Sequence, residues 1–295
     1  MFPDEFDYHE AESVDHAVEL LGEYGGQVEL LAGGHSLLPA MKTGLSSPDV
    51  LVDLGDVDEL HGVRADGDTL SIGAMTRYSD LVDSEAAQEH APAMTAAVAE
   101  VGDAQVRNRG TVGGNLAHAD PASDLPGAAL ASDATLVAQG PDGEREIPVE
   151  EFFYGMYATD LAEDEILKRV DVPAADGAVG AYAKKPSPSS GYAIIGVSVL
   201  LDVDDGTVEN ARVGANGAVG QGVLLPTVAD AIEGESIDDD SAADAASRAT
   251  EDVDETMLMD DLQASGEFRA QLLELYTERA LLDAAAEASA PAAAD

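Results

Sequence analysis

The stretch RNRGTVGGNLAHADPASDLP, Arg107 to Pro126, decides how the rest of the 295-residue chain is read. It sets two arginines, a Gly-Gly pair, two Asn and two Asp in one short segment of low apolar content. Gly113 and Gly114 have no Cβ, so their backbone can approach a ligand closely. Thr111, Asn115 and Ser123 offer neutral hydrogen-bonding groups, and Asp120 and Asp124 offer carboxylate acceptors. Much earlier, Ala32-Gly33-Gly34-His35-Ser36 repeats the Gly-Gly-polar chemistry. One such loop is most often a tight turn. Two of them point to a pocket that grips a dinucleotide from two sides.

The bulk composition bounds what surrounds those loops. The chain is long enough for about two domains, and 45% of it is apolar, as expected of a globular protein. Fourteen basic residues face 59 acidic ones, a net charge of -45, with the acids interleaved among apolar residues along the whole chain. This reads as a solvated acidic surface similar to that of proteins from salt-accumulating halophiles, where salt screens the self-repulsion. Such a surface repels nucleic acid and anionic membranes. There is no cysteine, so disulfides and thiolate metal or iron–sulfur sites are excluded in this chain. The start, MFPDEFDYHE, lacks the basic n-region of a secretory signal. The most apolar run, Ala193–Leu201, is far short of the ~20 residues of a membrane span. A cytoplasmic protein is expected.

Along the chain, Ser13 is placed to cap a helix carrying Val14, Ala17, Val18 and Leu21 on one face and ended by Gly25-Gly26. Val28–Ala32 reads as a buried strand entering the first glycine loop, followed by a short helix from Leu37 and a strand over Val50–Leu54. That loop is neither a G-x-G-x-x-G fingerprint nor a P-loop. Leu70–Ile72 reads as a strand, Pro92–Gly102 as a helix, and an Ala-rich helix follows from Leu125. Thr135–Ala138 and Arg145–Val149 flank a hairpin turn at Gly140–Gly143, and Ile166–Val172 is a further strand. The segment 171–180, with Pro173, Asp176 and Gly177, is the expected domain boundary. Beyond it come strands over Ala193–Val203 and Val208–Val213 and then helices, the last over Glu267–Glu287 with Phe268, Leu272, Leu275, Arg279 and Leu282 at helical spacing and a fraying end after Ala284. This order argues an α+β chain.

The two loops, with LLPAMK after the first and ADPASD after the second, resemble the FAD-binding medium subunit of the molybdenum hydroxylases, the family of carbon monoxide dehydrogenase and xanthine dehydrogenase. ARVGANGAVG (211–220) and the segment from Asp261 through Ser265, Phe268, Arg269 and Arg279-Ala280-Leu281 resemble its C-terminal pattern. The resemblance implies a two-lobed FAD-binding domain of the PCMH type over residues 1–172 (lobes about 1–56 and 57–172) and a smaller C-terminal α+β domain over 173–295. By the same resemblance Ala32, Gly33, Gly34, His35 and Ser36 wrap the FAD diphosphate through backbone amides, and Leu37 closes the loop. Thr111, Gly113, Gly114 and Asn115 hold the diphosphate and the flavin side, with Ala119 and Ser123 nearby. Asp124 accepts from the ribose or another polar edge, Lys184 lies near the isoalloxazine, and Tyr192 borders the ring. The family often has an Arg four residues after that lysine and an Asp before the aromatic. Here these positions are Pro188 and Gly191.

The function so implied is an electron-transfer subunit: substrate oxidised on a large molybdopterin-binding subunit, electrons passing through [2Fe–2S] clusters on a small subunit to FAD, then to an acceptor. The assembly expected is a dimer of heterotrimers, with no catalytic side chain and no metal ligand in this chain. Two other readings stand beside it. A stand-alone flavin oxidase could share the fold, since Gly33-Gly34-His35 resembles members that attach flavin through a His, although no Arg precedes it here. A non-catalytic nucleotide-binding assembly subunit would differ in that substrate could not reduce its flavin. Arg107 and Arg109 are rare cations on an acidic chain, and a salt bridge is the expected fate of at least one. Met257 and Met259 read as core or loop packing.

Overall fold

The computed structural model describes residues 2–175 and 177–289; Asp176 of the boundary segment and the end of the chain from 290 lie outside the described residues. The first sheet is parallel and three-stranded, with β1 (Asp7–Glu10), β2 (Val28–Leu31) and β3 (Val50–Asp53) in the order β1-β3-β2. Parallel neighbours need crossovers, and the helices Val14–Tyr24 and Leu37–Thr43 supply them. Ser13 caps the first of these, its Oγ accepting from His16 N at 3.1 Å, and Val14, Ala17, Val18, Leu20 and Leu21 are buried against the sheet.

The second sheet is antiparallel. It holds β4 (Val63–Asp66), β5 (Thr69–Gly73), β6 (Thr135–Gly140) and β7 (Gly143–Pro148), then, after the small hairpin of β8 (Phe153–Gly155) and β9 (Ala158–Thr159), the strand β10 (Ile166–Pro173). Its order is β4-β5-β10-β6-β7, so β10 sits at the centre with Val170 opposite both Ile72 and Leu136. Between β5 and β6 the chain runs through short helices, among them Pro92–Ala99, Val112–His118 and Leu125–Ala131. Met94, Val98, Leu116 and Leu125 from these helices are buried with Leu70, Ile72 and Val170 of the sheet.

A third, antiparallel sheet takes β11 (Val179–Pro186), β12 (Ala193–Asp204), β13 (Thr207–Asn216) and β14 (Val223–Leu224) in that order. Side chains alternate along a strand. Ala181, Ala183, Ile195, Val197 and Val199 therefore share a core with Leu272, Leu273 and Tyr276 of the long helix Gly266–Ala288. Gly180, Tyr182 and Gly214 point the other way, toward the helices Pro92–Ala99 and Leu125–Ala131. A Cβ on Gly180 would meet Ala93 N, and one on Gly214 would meet Gly127 O, both inside contact distance. Glycine at these positions is what lets helix and sheet close together.

Several details differ from the sequence reading: the strand into the first glycine loop is half-buried rather than buried, and the last helix runs on to Ala288 instead of fraying after Ala284. The segment 112–118, read as a glycine loop, is a helix capped by Thr111, because Gly113 packs on Ala74 and Gly114 packs beside Ala32 with no room for a Cβ. β1, β4, β8, β9, β11 and β14 went unread: β8, β9 and β14 are only two or three residues long, β1 (DYHE) and β4 (VRAD) are largely polar, and β11 (VGAYAKKP) mixes small and basic residues. In the last helix the buried stripe is Arg269, Leu272, Leu273, Tyr276, Ala280 and Ala284, while Phe268 and Leu275 are exposed. The stripe is rotated because the Arg269 guanidinium finds carbonyl partners inside, and Arg279 instead lies over the Tyr276 ring at 4.7 Å.

Candidate flavin site

The first glycine loop leaves β2 and enters the helix Leu37–Thr43 with Gly34 at φ 73°, a left-handed conformation that glycine adopts freely. Leu38 N donates to Gly34 O and Ala40 N to Ser36 O, so the carbonyls of the loop are used. Its amides are not: among the described residues the N–H groups of Gly33, Gly34, His35 and Ser36 have no protein acceptor. His35 is exposed, while Ala32, Gly33, Gly34, Ser36 and Leu37 are half-buried. Four adjacent amides without protein acceptors are the kind of donor set that an anion-binding loop presents.

The second glycine segment backs directly onto the first. A Cβ on Gly33 would lie 2.8 Å from Gly110 Cα, and one on Gly114 would lie 3.0 Å from Ala32 Cβ. Its amides are in internal use: Val112 N donates to Thr76 O (3.0 Å), Gly113 N to Ala74 O (2.8 Å), Gly114 N to Thr111 Oγ1 (3.2 Å) and Asn115 N to Thr111 O (3.1 Å). Thr111 is thus a helix cap first. Asn115 is fixed at both ends of its amide, Nδ2 donating to Tyr78 Oη (2.8 Å) and Oδ1 accepting from Ser123 Oγ (2.6 Å). Ala119 ends the helix in the left-handed region at φ 50°, and Tyr157, also left-handed at φ 58°, donates its N–H to Ala119 O at 3.0 Å. Two non-glycine residues held in that conformation and tied together mark a stiffened wall.

Asp124 follows Ser123 at the head of the helix Leu125–Ala131 and is buried at 4% exposure. Both its oxygens have protein partners: Oδ1 accepts from Tyr182 Oη and from Lys184 Nζ (3.1 Å), and Oδ2 accepts from Lys184 Nζ (3.2 Å). Burial pushes its pKa up to about 6, with Lys184 and the Tyr182 hydroxyl pulling the other way. The Tyr182 phenol is held well above its usual range by burial and by the Asp124 charge. Lys184 also donates to Glu100 O (2.6 Å) and Gly191 O (3.2 Å).

Tyr192 completes the arrangement. It is 40% exposed, and its phenol is shifted upward by burial and by Asp120, with the nearby Ser36 side chain of the first loop acting in the opposite direction. It also lines a cavity of about 270 Å³ together with Asp120, Ala122, Tyr157, Met259 and Arg269. The free amides and this cavity therefore adjoin through one tyrosine. The cavity is apolar on its Met156, Ile194 and Met259 sides and polar toward Asp120, Ser190 and Gln263, the mixed lining expected of a ring-binding site. A wider surface depression of about 690 Å³, between residues 2–7 and Asp49, has neither a glycine loop nor a cation.

Comparison with known proteins identifies what this arrangement belongs to. Residues 4–175 match the family described as the FAD binding domain in molybdopterin dehydrogenase, and residues 180–284 match the CO dehydrogenase flavoprotein C-terminal domain. The chain belongs to this family. The flavoprotein is 42% identical over 214 residues to the carbon monoxide dehydrogenase medium chain of Hydrogenophaga pseudoflava, covering 72% of this chain and 75% of that one. It is 31% identical to the glyceraldehyde dehydrogenase medium chain of Sulfolobus acidocaldarius, over 97% of this chain and 100% of the relative. A solved structure of the Hydrogenophaga pseudoflava carbon monoxide dehydrogenase superposes with a TM-score of 0.91 at 36% identity, covering 98% of this chain and 100% of the other. The α+β architecture, the FAD cofactor and the place of the chain among oxidoreductase subunits follow. Both of these relatives are named as the medium chains of dehydrogenases.

The structure draws together most of the residues that the sequence singles out. Ala32–Leu37, Thr111–Asn115, Ala119, Ser123 and Tyr192 converge around the loops and cavity. Asp124 and Lys184 lie behind them, bonded to each other. Among the described residues neither Arg107 nor Arg109 has a carboxylate within salt-bridge distance; Arg107 Nη1 instead donates to Val101 O at 3.0 Å. Met259 lines the cavity rather than the core, and Met257 is exposed. The sequence reading passed over Tyr78, Tyr157 and Tyr182. Only Tyr182 left a signal, since it stands two residues before Lys184 on one strand and so on the same face.

Proposed function

We propose that the flavoprotein carries FAD as the electron-relay subunit of a cytoplasmic molybdopterin, iron–sulfur and FAD dehydrogenase. Residues 1–172 would hold the cofactor in two lobes, and 173–295 would form the domain that closes on it. The amides of Gly33, Gly34, His35 and Ser36 bind the diphosphate, with Ala32 and Leu37 shaping the loop. Thr111, Gly113, Gly114, Asn115, Ala119 and Ser123 form the facing wall, and Tyr192 borders the ring in the adjoining cavity. Asp124 would offer its carboxylate to the ribose or another polar edge of FAD, and Lys184 would lie near the isoalloxazine. The observation that carries this reading is the row of four free amides leading into a cavity lined by Tyr192.

Bound FAD supplies a two-electron carrier between iron–sulfur clusters of a small subunit and an external acceptor. This chain's own residues bind and orient it, exclude water from the Thr111–Ser123 side, and set the electrostatics near the ring through Asp120 and Tyr192. The absence of cysteine fits this division of labour, since cluster ligation then needs another chain. The assembly proposed is a dimer of heterotrimers with a large molybdopterin-binding subunit and a small [2Fe–2S] subunit. None of the helices among the described residues is long and apolar enough to cross a membrane. The test is reconstitution: the FAD-loaded chain is mixed with its partner subunits, and flavin absorbance is followed after substrate is added. Bleaching that requires all three chains is expected, and a flavin reduced by substrate without partners would refute the relay role.

A further inference from the structure

We infer that Arg269 is the positioning residue of the cavity beside Tyr192: its buried guanidinium ties the long C-terminal helix to both walls that the C-terminal half of the chain gives to that cavity, the strand end Tyr192–Ile194 and the loop Met259–Gln263. Asp120, Ala122 and Tyr157 line the cavity from the other side. The two C-terminal walls come from distant parts of the chain, one at the start of β12 and one in the segment before the helix Gly266–Ala288. Among the described residues no strand pairing joins them. Arg269 stands near the start of that helix and is 3% exposed. Nη1 donates to Ile194 O at 2.6 Å and to Gly217 O at 2.7 Å, one proton for each carbonyl, and Nη2 donates to Asp261 Oδ2 at 2.8 Å. Nε is buried without an acceptor among the described residues, so the terminal fork alone holds the side chain.

Each bond lands on a piece of wall. The ladder between β12 and β13 ends at Gly196 opposite Asn216, and Ile194 and Gly217 lie just beyond it, where the guanidinium takes up their two carbonyls. Gly217 is left-handed at φ 86°, and a Cβ there would meet Ile194 O, so glycine is what brings both carbonyls under one nitrogen. Asp261 passes the hold on to the loop: its Oδ1 accepts from Gln263 N at 2.8 Å and Ala264 N at 3.0 Å, while Oδ2 faces Arg269. Met259 N donates to Ala218 O at 2.9 Å, next to Gly217. Leu262 at the tip of the loop is wholly exposed, and a segment of that kind keeps one conformation only where it is pinned. Asp261 is the one carboxylate within salt-bridge distance of Arg269 among the described residues. Two carbonyls on one nitrogen and a carboxylate on the other need a planar fork, which a single ammonium lacks.

The test uses the full chain with Arg269→Met, Arg269→Lys and Asp261→Asn. Leu281→Ala, in the buried core about 18 Å further along the same helix, is the control for general loosening. Amide hydrogen exchange needs no cofactor and reads both walls. Arg269→Met should quicken it about tenfold or more over 192–196 and 257–264, the factor that follows from losing one charged hydrogen bond, and Arg269→Lys should do the same over 257–264. Asp261→Asn leaves both carbonyl bonds in place, so it should quicken 257–264 alone, and it decides the point should Arg269→Met not fold. Leu281→Ala should leave both stretches as in the wild type. The optical arm rests on the flavin reading of the cavity: acrylamide, a neutral quencher, should give a steeper quenching slope with bound flavin in Arg269→Met and Arg269→Lys than in the wild type and Leu281→Ala. Wild-type exchange at 257–264 in Asp261→Asn or in Arg269→Met, equal quickening in Leu281→Ala, or full rescue by Arg269→Lys would overturn the proposal. If the wild type binds no FAD, the flavin reading falls, and the exchange result still decides the role of Arg269.

Discussion

Replacing Gly33 by alanine puts one methyl group between the two glycine segments. That Cβ would lie 2.8 Å from Gly110 Cα and 3.0 Å from the Arg109 carbonyl carbon, and even closer to the Arg109 oxygen. All three are backbone atoms, so no side-chain rotation relieves the clash. Reaching ordinary carbon–carbon contact of ~3.5 Å needs an opening of about 0.7 Å or more. Overpacking of this kind costs roughly 1–3 kcal/mol of stability. The same opening carries the amides of 33–36 off their common focus, and losing one hydrogen bond to a charged phosphate, at about 1.5–3 kcal/mol, weakens FAD binding about ten- to hundredfold. Gly26→Ala is the control, because nothing lies within 4 Å of its Cβ position and its φ is not in the left-handed region. Equilibrium flavin titration and urea denaturation of both variants give the two quantities. A Gly33→Ala chain that binds FAD within about twofold of wild type would refute the packing of the loops against each other as a determinant of the site.

Three further outcomes follow from buried charge and from the acidic surface. Asp124 has a folded-state pKa of about 6 against an ordinary 3.8. Its contribution to stability is therefore fully present below about 3.8 and is lost as pH rises through about 6, on the order of 3 kcal/mol for a shift of about two units. Urea denaturation across pH 4 to 7 should show wild type losing this much relative to Asp124→Asn, and parallel curves would contradict it. Arg269→Met leaves Ile194 O, Gly217 O and Asp261 without their guanidinium partner, and should cost about 3 kcal/mol in the same assay, whereas Arg248→Met, whose partner Asp244 is exposed, should cost under about 1 kcal/mol. With a net charge of -45, the melting temperature should rise with KCl as the screening length drops from ~10 Å at 0.1 M to ~3 Å at 1 M. A melting temperature indifferent to KCl would remove the self-repulsion argument.

What could be read in the sequence was whatever local chemistry dictates. The capped helix at Ser13, the strand into Gly33-Gly34, the hairpin around residues 140–143 and the Ala-rich helix from Leu125 all announce themselves through spacing and breakers, and the structure has each. The two glycine segments were visible as a pair, although their direct contact was not, because Gly33 against Gly110 joins positions 77 residues apart in the chain. The helix Val112–His118 was hidden by glycines that ordinarily break helices and are here demanded by Ala74 and Ala32. The occupancy of the Val112 and Gly113 amides was likewise beyond reach, since their partners Thr76 and Ala74 come from the segment after β5. Lys184 drew notice through the family resemblance, yet its partners, a carbonyl at Glu100 and a carboxylate at Asp124, are both set by tertiary packing. Spacing also misjudged the last helix, where Arg269 is inside and Phe268 is not.

The claim on which the rest depends is that this chain alone holds FAD at the loop of free amides. Titrating the purified, flavin-free chain with FAD, with riboflavin as the comparison that lacks phosphate, tests it most directly. Saturation at one FAD per chain, with riboflavin bound at least about a hundredfold more weakly for want of phosphate hydrogen bonds, is the result the account predicts. Equal binding of both flavins, or no flavin bound by the folded chain, would contradict it.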